Sequence, residues 1–222
     1  MRSRTLDGSS ILYGTTSEGG NDMFTMLSGR GVVYALTPPV TTGLWQEKVI
    51  RSFCAACGDG CSTCSDGIQP AYDFVVDASA NIWGTTANGG SNAKGTAWEL
   101  TPGADPWSDP WTETILYNSC WANGAKCPDG WVPNGVTMDA SGHLFGTTFE
   151  GGNGFPAFGG NVFNYDTGTS TYSTVYNFCP TAGCSDGGEP ETGIILDNSG
   201  DYRGVTLTGG VANQGVIFEV VP

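Results

Sequence analysis

The chemistry open to this chain is set by its carboxylates, its cysteines and one histidine. Acidic residues number 22 against 8 basic ones, a formal net charge of -14. Two glutamates, Glu18 and Glu150, occupy the same place in the patterns GTTSEGG and GTTFEGG. A pair of facing carboxylates can hydrolyse a glycosidic bond, one as acid and the other as base or nucleophile. His143 is the only histidine, so a multi-histidine metal site is excluded, and a Ser-His-Asp or Cys-His site would have to be built around one residue. The eight cysteines fall as Cys54, Cys57, Cys61 and Cys64, then Cys120 with Cys127, then Cys179 with Cys184. An even count with a close neighbour for every cysteine points to disulfides in an oxidising compartment. Zinc is the alternative, because Cys54-x2-Cys57 and Cys61-x2-Cys64 are two CxxC pairs. Three residues between the pairs are too few for two turns to face each other across a metal.

The elements that position these residues must be short. Of 222 residues 35 are Gly and 12 are Pro, which disfavours long helices, while 39% apolar and 11% aromatic residues can bury a core. The acidic surplus excludes nucleic acid and anionic membranes as partners, for lack of a Lys/Arg stripe. No stretch approaches the apolar length of a membrane span, so membrane insertion is not expected. The opening MRSRTLDGSS has no apolar leader segment; a secreted or cell-surface protein is expected, with its export signal absent from this sequence.

Four segments align without gaps: TLDGSSILYGTTSEGG (5–20), VVDASANIWGTTANGG (75–90), TMDASGHLFGTTFEGG (137–152) and ILDNSGDYRGVTLTGG (195–210). Their aspartates, Asp7, Asp77, Asp139 and Asp197, stand 70, 62 and 58 residues apart. An alternating strand follows each GG: GVVYALTP, GTAWELTP, GNVFNYDT and GVIFEVVP. The first three are followed by another, EKVIRSF, TETILYN and STVYNF. Period-2 alternation gives strands, and D-x-S-G and GG give turns. Tandem four-stranded units predict an all-β, single-domain β-propeller of four blades, about 1–67, 68–130, 131–188 and 189–222, with the last blade lacking its outer strand. It closes as a ring, or forms an arc completed by a second copy or by sequence absent here. The free edge at GVIFEVV predicts a monomer or an edge-strand-mediated homo-oligomer.

D-x-x-G-x-L-Y-G-T-T-x-x-G-G, then G-x-V-F-x-L, then a strand and F-C-x(n)-C-x-D-G, resembles the GloVer tandem repeat (choice-of-anchor) of secreted bacterial proteins. It is also similar, more loosely, to the β-propeller repeats of two-component regulators. The resemblance covers essentially the whole chain and implies an exported propeller-like repeat protein. It supplies no activity to carry over. Arg203 and Val205 depart from the pattern in the last copy, as suits an end unit.

Matching the closing C-x-D-G across copies pairs Cys120 with Cys127, Cys179 with Cys184 and, by analogy, Cys54 with Cys64, leaving Cys57 with Cys61. Propeller topology then gathers the cysteine loops and the GG loops on one rim. Glu18, Asp22, Asp59, Asp66, Asp129, Glu150, Asp186, Glu189 and Glu191 fall there, with Trp121 and Trp131. Indoles and carboxylates on a braced rim suit a glycan, an indole stacking on the sugar and carboxylates accepting its hydroxyls. Candidate ligand-binding residues are Trp121, Trp131, Asp22, Asn88, Glu189 and Glu191; the candidate catalytic pair is Glu18 and Glu150. The expected partner is a glycan or an extracellular protein, and the rival expectation is a carbohydrate-active enzyme, a glycoside hydrolase or lyase. A third is a structural subunit of an extracellular assembly. No cofactor is expected; calcium would find oxygen ligands on the rim, but no D-x-D-x-D-G run specifies it. Each feature has a plainer reading. Asp66, Asp129 and Asp186 precede Gly as turn formers, Asp7, Asp77, Asp139 and Asp197 form Asx turns, and Tyr13, Trp83 and Phe145 pack between blades.

Overall fold

The computed structural model describes residues 11–20, 30–39, 42–55, 64–71, 73–107, 109–121, 127–153 and 159–221, and the backbone of 3–5. Among these residues there is no helix, and seventeen strands form four antiparallel sheets. The first sheet orders β1 (Ser3–Thr5), β2 (Leu12–Thr16), β3 (Val32–Thr37) and β4 (Gln46–Ser52). The second pairs β5 (Ile68–Pro70) and β6 (Val75–Val76) with β7 (Ile82–Asn88), followed by β8 (Thr96–Thr101) and β9 (Thr112–Asn118). The third orders β10 (Trp131–Met138), β11 (His143–Glu150), β12 (Asn161–Asp166) and β13 (Thr171–Asn177). The fourth pairs β14 (Gly188–Pro190) and β15 (Ile195–Leu196) with β16 (Tyr202–Thr208), which pairs β17 (Ile217–Val220).

One repeat thus gives one sheet, and the sequence explains why. The glycine of each GTT lies under the aromatic residue of the following strand: a Cβ on Gly84 would stand 2.4 Å from the Trp98 ring, and one on Gly204 would stand 2.4 Å from the Phe218 ring. No residue with a side chain fits beneath those rings. The first strand of the repeat is whole in the third sheet but broken into two pieces in the second and fourth. The third copy is one residue shorter between Pro133 and Asp139 than the others between Pro and Asp, so β10 runs through with a bulge between Pro133 and Val136.

Consecutive sheets pack face to face through three clusters. Tyr13, Val33, Ala35 and Phe53 of the first repeat meet Phe74, Ile82, Trp98 and Leu100 of the second. Trp83 meets Val136, Leu144, Phe163 and Tyr165, and Phe145, Val162 and Phe178 meet Ile194, Tyr202 and Phe218. Each large side chain buried this way contributes about 1.5–3 kcal/mol. The aromatics Tyr13, Trp83 and Phe145 are therefore packing residues, as their strand positions predict.

Each junction also carries a backbone latch. The residue before a proline takes a positive φ, 59° at Gln69, 52° at Val132 and 56° at Glu189. Its N–H donates back to the preceding sheet: Gln69 to Arg30 O (2.8 Å), Val132 to Lys94 O (3.0 Å) and Glu189 to Gly159 O (2.9 Å). The proline that follows then lies against a glycine, Pro70 on Gly31, Pro133 on Gly95 and Pro190 on Gly160. Asp73 of the second repeat also bridges Gly135 of the third, and its Oδ2 accepts Gly193 N–H of the fourth at 3.3 Å. Among the described residues no sheet closes on itself. On the fourth sheet Ile195, Val205 and Ile217 stand 72%, 43% and 85% exposed, where Val33 and Val162, the counterparts of Ile217, are buried.

Candidate functional site

The repeat motifs resolve into architecture. The carbonyl of each closing cysteine accepts two glycine N–H groups, one from C-x-D-G and one from GG: Cys64 O from Gly67 (3.1 Å) and Gly90 (2.7 Å), Cys127 O from Gly130 and Gly152, and Cys184 O from Gly187 and Gly210. The second threonine of GTT closes the same loop, Thr86 Oγ1 accepting Thr96 N–H (3.2 Å) and donating to Asn88 O (3.0 Å). The cysteine loop leaving one sheet is therefore docked on the GG loop of the next. Disulfides join Cys54 to Cys64, Cys120 to Cys127 and Cys179 to Cys184, as matching the copies predicts. The Cys57–Cys61 pairing, Asp7, Asp22 and Asp59 lie outside the described residues.

The aspartates of C-x-D-G hold the loop entrance. Asp129 Oδ2 accepts Tyr117 O–H (2.7 Å) and Trp121 N–H (2.8 Å); Asp186 Oδ2 accepts Tyr176 O–H (2.8 Å) and Cys179 N–H (3.2 Å). In the first loop Arg51 takes the place of the tyrosine, 2.6 Å from Asp66. Burial, and then the bond to Asp186, push the Tyr176 hydroxyl up to about 12. The Asx aspartates are turn formers too: Asp77, Asp139 and Asp197 each accept N–H groups two and four residues on. His143 occupies the slot of Asn81, its Nδ1 2.9 Å from Asp139, beside a 440 Å³ pocket lined in part by Phe145 and Tyr202. Burial opposes the charge on Asp139, but the N–H groups of His143 and Ser141 and the imidazole hold its carboxyl below the ordinary value.

A pocket of about 350 Å³ draws on all four repeats: Ser17 of the first, Gln69 and Pro70 of the second, Pro133 and Asn134 of the third and Glu191 of the fourth. It stands where the residues after the latch prolines meet those after GTT. Its polar groups are held in place. Asn134 Nδ2 donates to Pro190 O (2.5 Å) and Thr147 Oγ1 (3.1 Å), and Gln69 Oε1 accepts Asn88 Nδ2 (2.7 Å). Of the residues singled out from sequence, Glu191 lines the pocket and Asn88 supports it through Gln69. Glu189 is committed to a latch through its backbone. Trp121 is 66% exposed, whereas Trp131 is half-buried with the Lys94 ammonium 3.1 Å above its ring, so only the first offers an open indole face. Glu18 is exposed and Glu150 sits opposite Trp131 on β11; the pocket lining contains neither. Sequence reasoning missed Ser17, Gln69 and Asn134, which have no acidic or aromatic signature. Their signal was position, next to the repeated prolines and GTT.

A second electrostatic feature lies at the first junction. Glu113 of β9 stands 2.6 Å from Arg51 of β4, and its Oε1 has no hydrogen-bond partner among the described residues. Burial outweighs Arg51 and, helped by the nearby Asp66, raises the Glu113 carboxyl to about 7.

The family described as the Gloeobacter/Verrucomicrobia repeat matches residues 2–222. No curated protein and no solved structure matches.

Proposed function

Because the chain belongs to the Gloeobacter/Verrucomicrobia repeat family, we propose that it is an exported, disulfide-braced repeat protein whose four sheets are propeller blades and whose rim pocket binds a glycan. The blade reading is supported by one sheet per repeat, by the three repeated junctions and by the contacts of Asp73 with Gly135 and Gly193. Three disulfides fit an oxidising, extracellular setting.

The observation that carries the binding reading is the pocket itself. A hydroxyl, two amides and one carboxylate converge there with no cation among its lining residues. That set suits neutral hydroxyl-rich groups, which both donate and accept, better than it suits an anion. Trp121, beside the second cysteine loop, provides an exposed indole. A glycan array with the wild type, Glu191→Gln and Asn134→Ala, paired with a reducing-sugar assay on the wild type and Glu18→Gln/Glu150→Gln, tests the reading. Saturable binding lost in the pocket variants, without release of reducing ends, supports it. Turnover that disappears in the double glutamate variant would replace it with a glycoside hydrolase.

A further inference from the structure

The pocket shared by the four repeats sorts its free polar atoms by kind. Asn134 Nδ2 donates to Pro190 O and to Thr147 Oγ1. Those partners fix which way round the amide sits. A carbonyl only accepts, and the Thr147 hydroxyl spends its own proton on Thr192 O at 2.7 Å. Asn134 Oδ1 is therefore the atom left for a ligand, and among the described residues nothing donates to it.

The carbonyl that holds Asn134 belongs to the residue just before Glu191, so the same bond sets the Asn134 amide beside Glu191. The two occupy the slot after the latch proline in the third and fourth repeats, and both line the pocket. Glu191 is exposed and makes no hydrogen bond or ion pair among the described residues. The first and second repeats bring a different set. Gln69 Oε1 is taken by Asn88 Nδ2, which leaves the Gln69 Nε2 donors, and the Ser17 hydroxyl can donate or accept.

That asymmetry selects a ligand. Two neighbouring acceptors, one of them charged, call for a group that donates to both and is positive. A primary ammonium has three N–H donors and no lone pair. A hydroxyl has one proton for two acceptors, and an acetamide brings a carbonyl oxygen towards the carboxylate. Ring hydroxyls beside the ammonium give Gln69 Nε2 and Ser17 their acceptors, which a lysine side chain does not supply.

Building on the glycan reading of this pocket, we propose that it takes an amino-sugar residue with a free amine, whose ammonium lies between Asn134 Oδ1 and the Glu191 carboxylate and whose ring hydroxyls meet Gln69 and Ser17. The test compares the methyl glycosides of glucosamine, N-acetylglucosamine and glucose, which differ only at C2, in a mildly acidic buffer that keeps the amine protonated. Affinity is read from the Asn134 and Gln69 side-chain amide shifts in NMR titrations. The glucosamine glycoside should bind about tenfold more tightly than the other two, as one charge-assisted hydrogen bond provides. Glu191→Gln should erase that preference. Glu47→Gln, which removes the same charge from exposed β4, should keep it, so that a contact at Glu191 is told apart from attraction to the net charge. Equal or tighter binding of the acetylated or the glucose glycoside overturns the amine assignment and leaves the glycan reading standing. Loss of the preference in Glu47→Gln overturns it, as does a lysine tetrapeptide that binds as tightly with the same amide shifts. Absence of binding by all three glycosides also overturns it, and the glycan reading falls with it only if the glycan array is blank.

Discussion

Glu113 and Arg51 face each other at 2.6 Å across the junction of the first two sheets, and the glutamate carries its proton up to about pH 7 because burial outweighs the guanidinium. The folded-state pKa is raised above the ordinary value, so the folded state binds this proton more tightly than the unfolded chain does. The stabilisation is full below the unfolded value and is lost as pH rises through about 7. From 4.5 to about 7 the group changes stability by roughly 3 kcal/mol at 1.36 kcal/mol per unit. Urea unfolding at pH 5, 6, 7 and 8 should show stability falling across the series, and Glu113→Gln should flatten it. Asp139, Asp166 and Asp197 work in the opposite sense: their carboxyls are held below the ordinary value, so their contribution is lost as pH falls through their folded-state values.

Gly95 should tolerate no side chain. Its φ is +100°, and a Cβ there would stand 2.4 Å from Thr86 O and 2.5 Å from Pro133 Cδ. Gly95→Ala combines a disfavoured backbone with displacement of the latch between the second and third sheets, an expected loss of about 2–4 kcal/mol. Pro133→Ala keeps the backbone and should cost about 1 kcal/mol or less. Thermal melts of the two variants should differ by several degrees, in that order.

The cysteine loops should behave as junction staples. Cys120→Ser/Cys127→Ser frees a seven-residue span, a loss of about 2 kcal/mol on chain-entropy grounds. If the closing cysteine matters through its carbonyl, the Gly130 and Gly152 amides should stay protected in this variant under native conditions. Asp129→Ala, which removes the acceptor for Tyr117 O–H and Trp121 N–H, should open the loop more than loss of the disulfide does. Hydrogen exchange at 119–121 and 127–130 compares the two.

The fold was legible to the extent that its residues repeat. GTTxxGG and C-x-D-G placed the strands, the turns and the three described disulfides, because the closing-cysteine carbonyl and its two glycine N–H partners recur at each of the three cysteine loops. The pocket was less legible because it is made between copies. Asn134 and Glu191 share the slot after the latch proline, but Ser17 and Gln69 come from two other slots, and nothing in one repeat signals that the next will bring its own residue alongside. Carboxylate counting pointed to Glu18 and Glu150, which share a slot but stand outside that lining. Nothing beside Trp131 in the sequence signals that Lys94, 37 positions earlier, covers its ring from the preceding repeat.

The central claim is that the pocket shared by the four repeats is where a glycan binds. Its most direct measurement is a backbone and side-chain NMR titration with an oligosaccharide selected on the array. Shifts should be concentrated at Ser17, Gln69, Asn134 and Glu191, with a smaller set at Trp121, and Glu191→Gln should remove them while leaving the Gly67, Gly130 and Gly187 amides in place. Shifts centred on Glu18 and Glu150, or spread along β17 without change at Asn134, would contradict it.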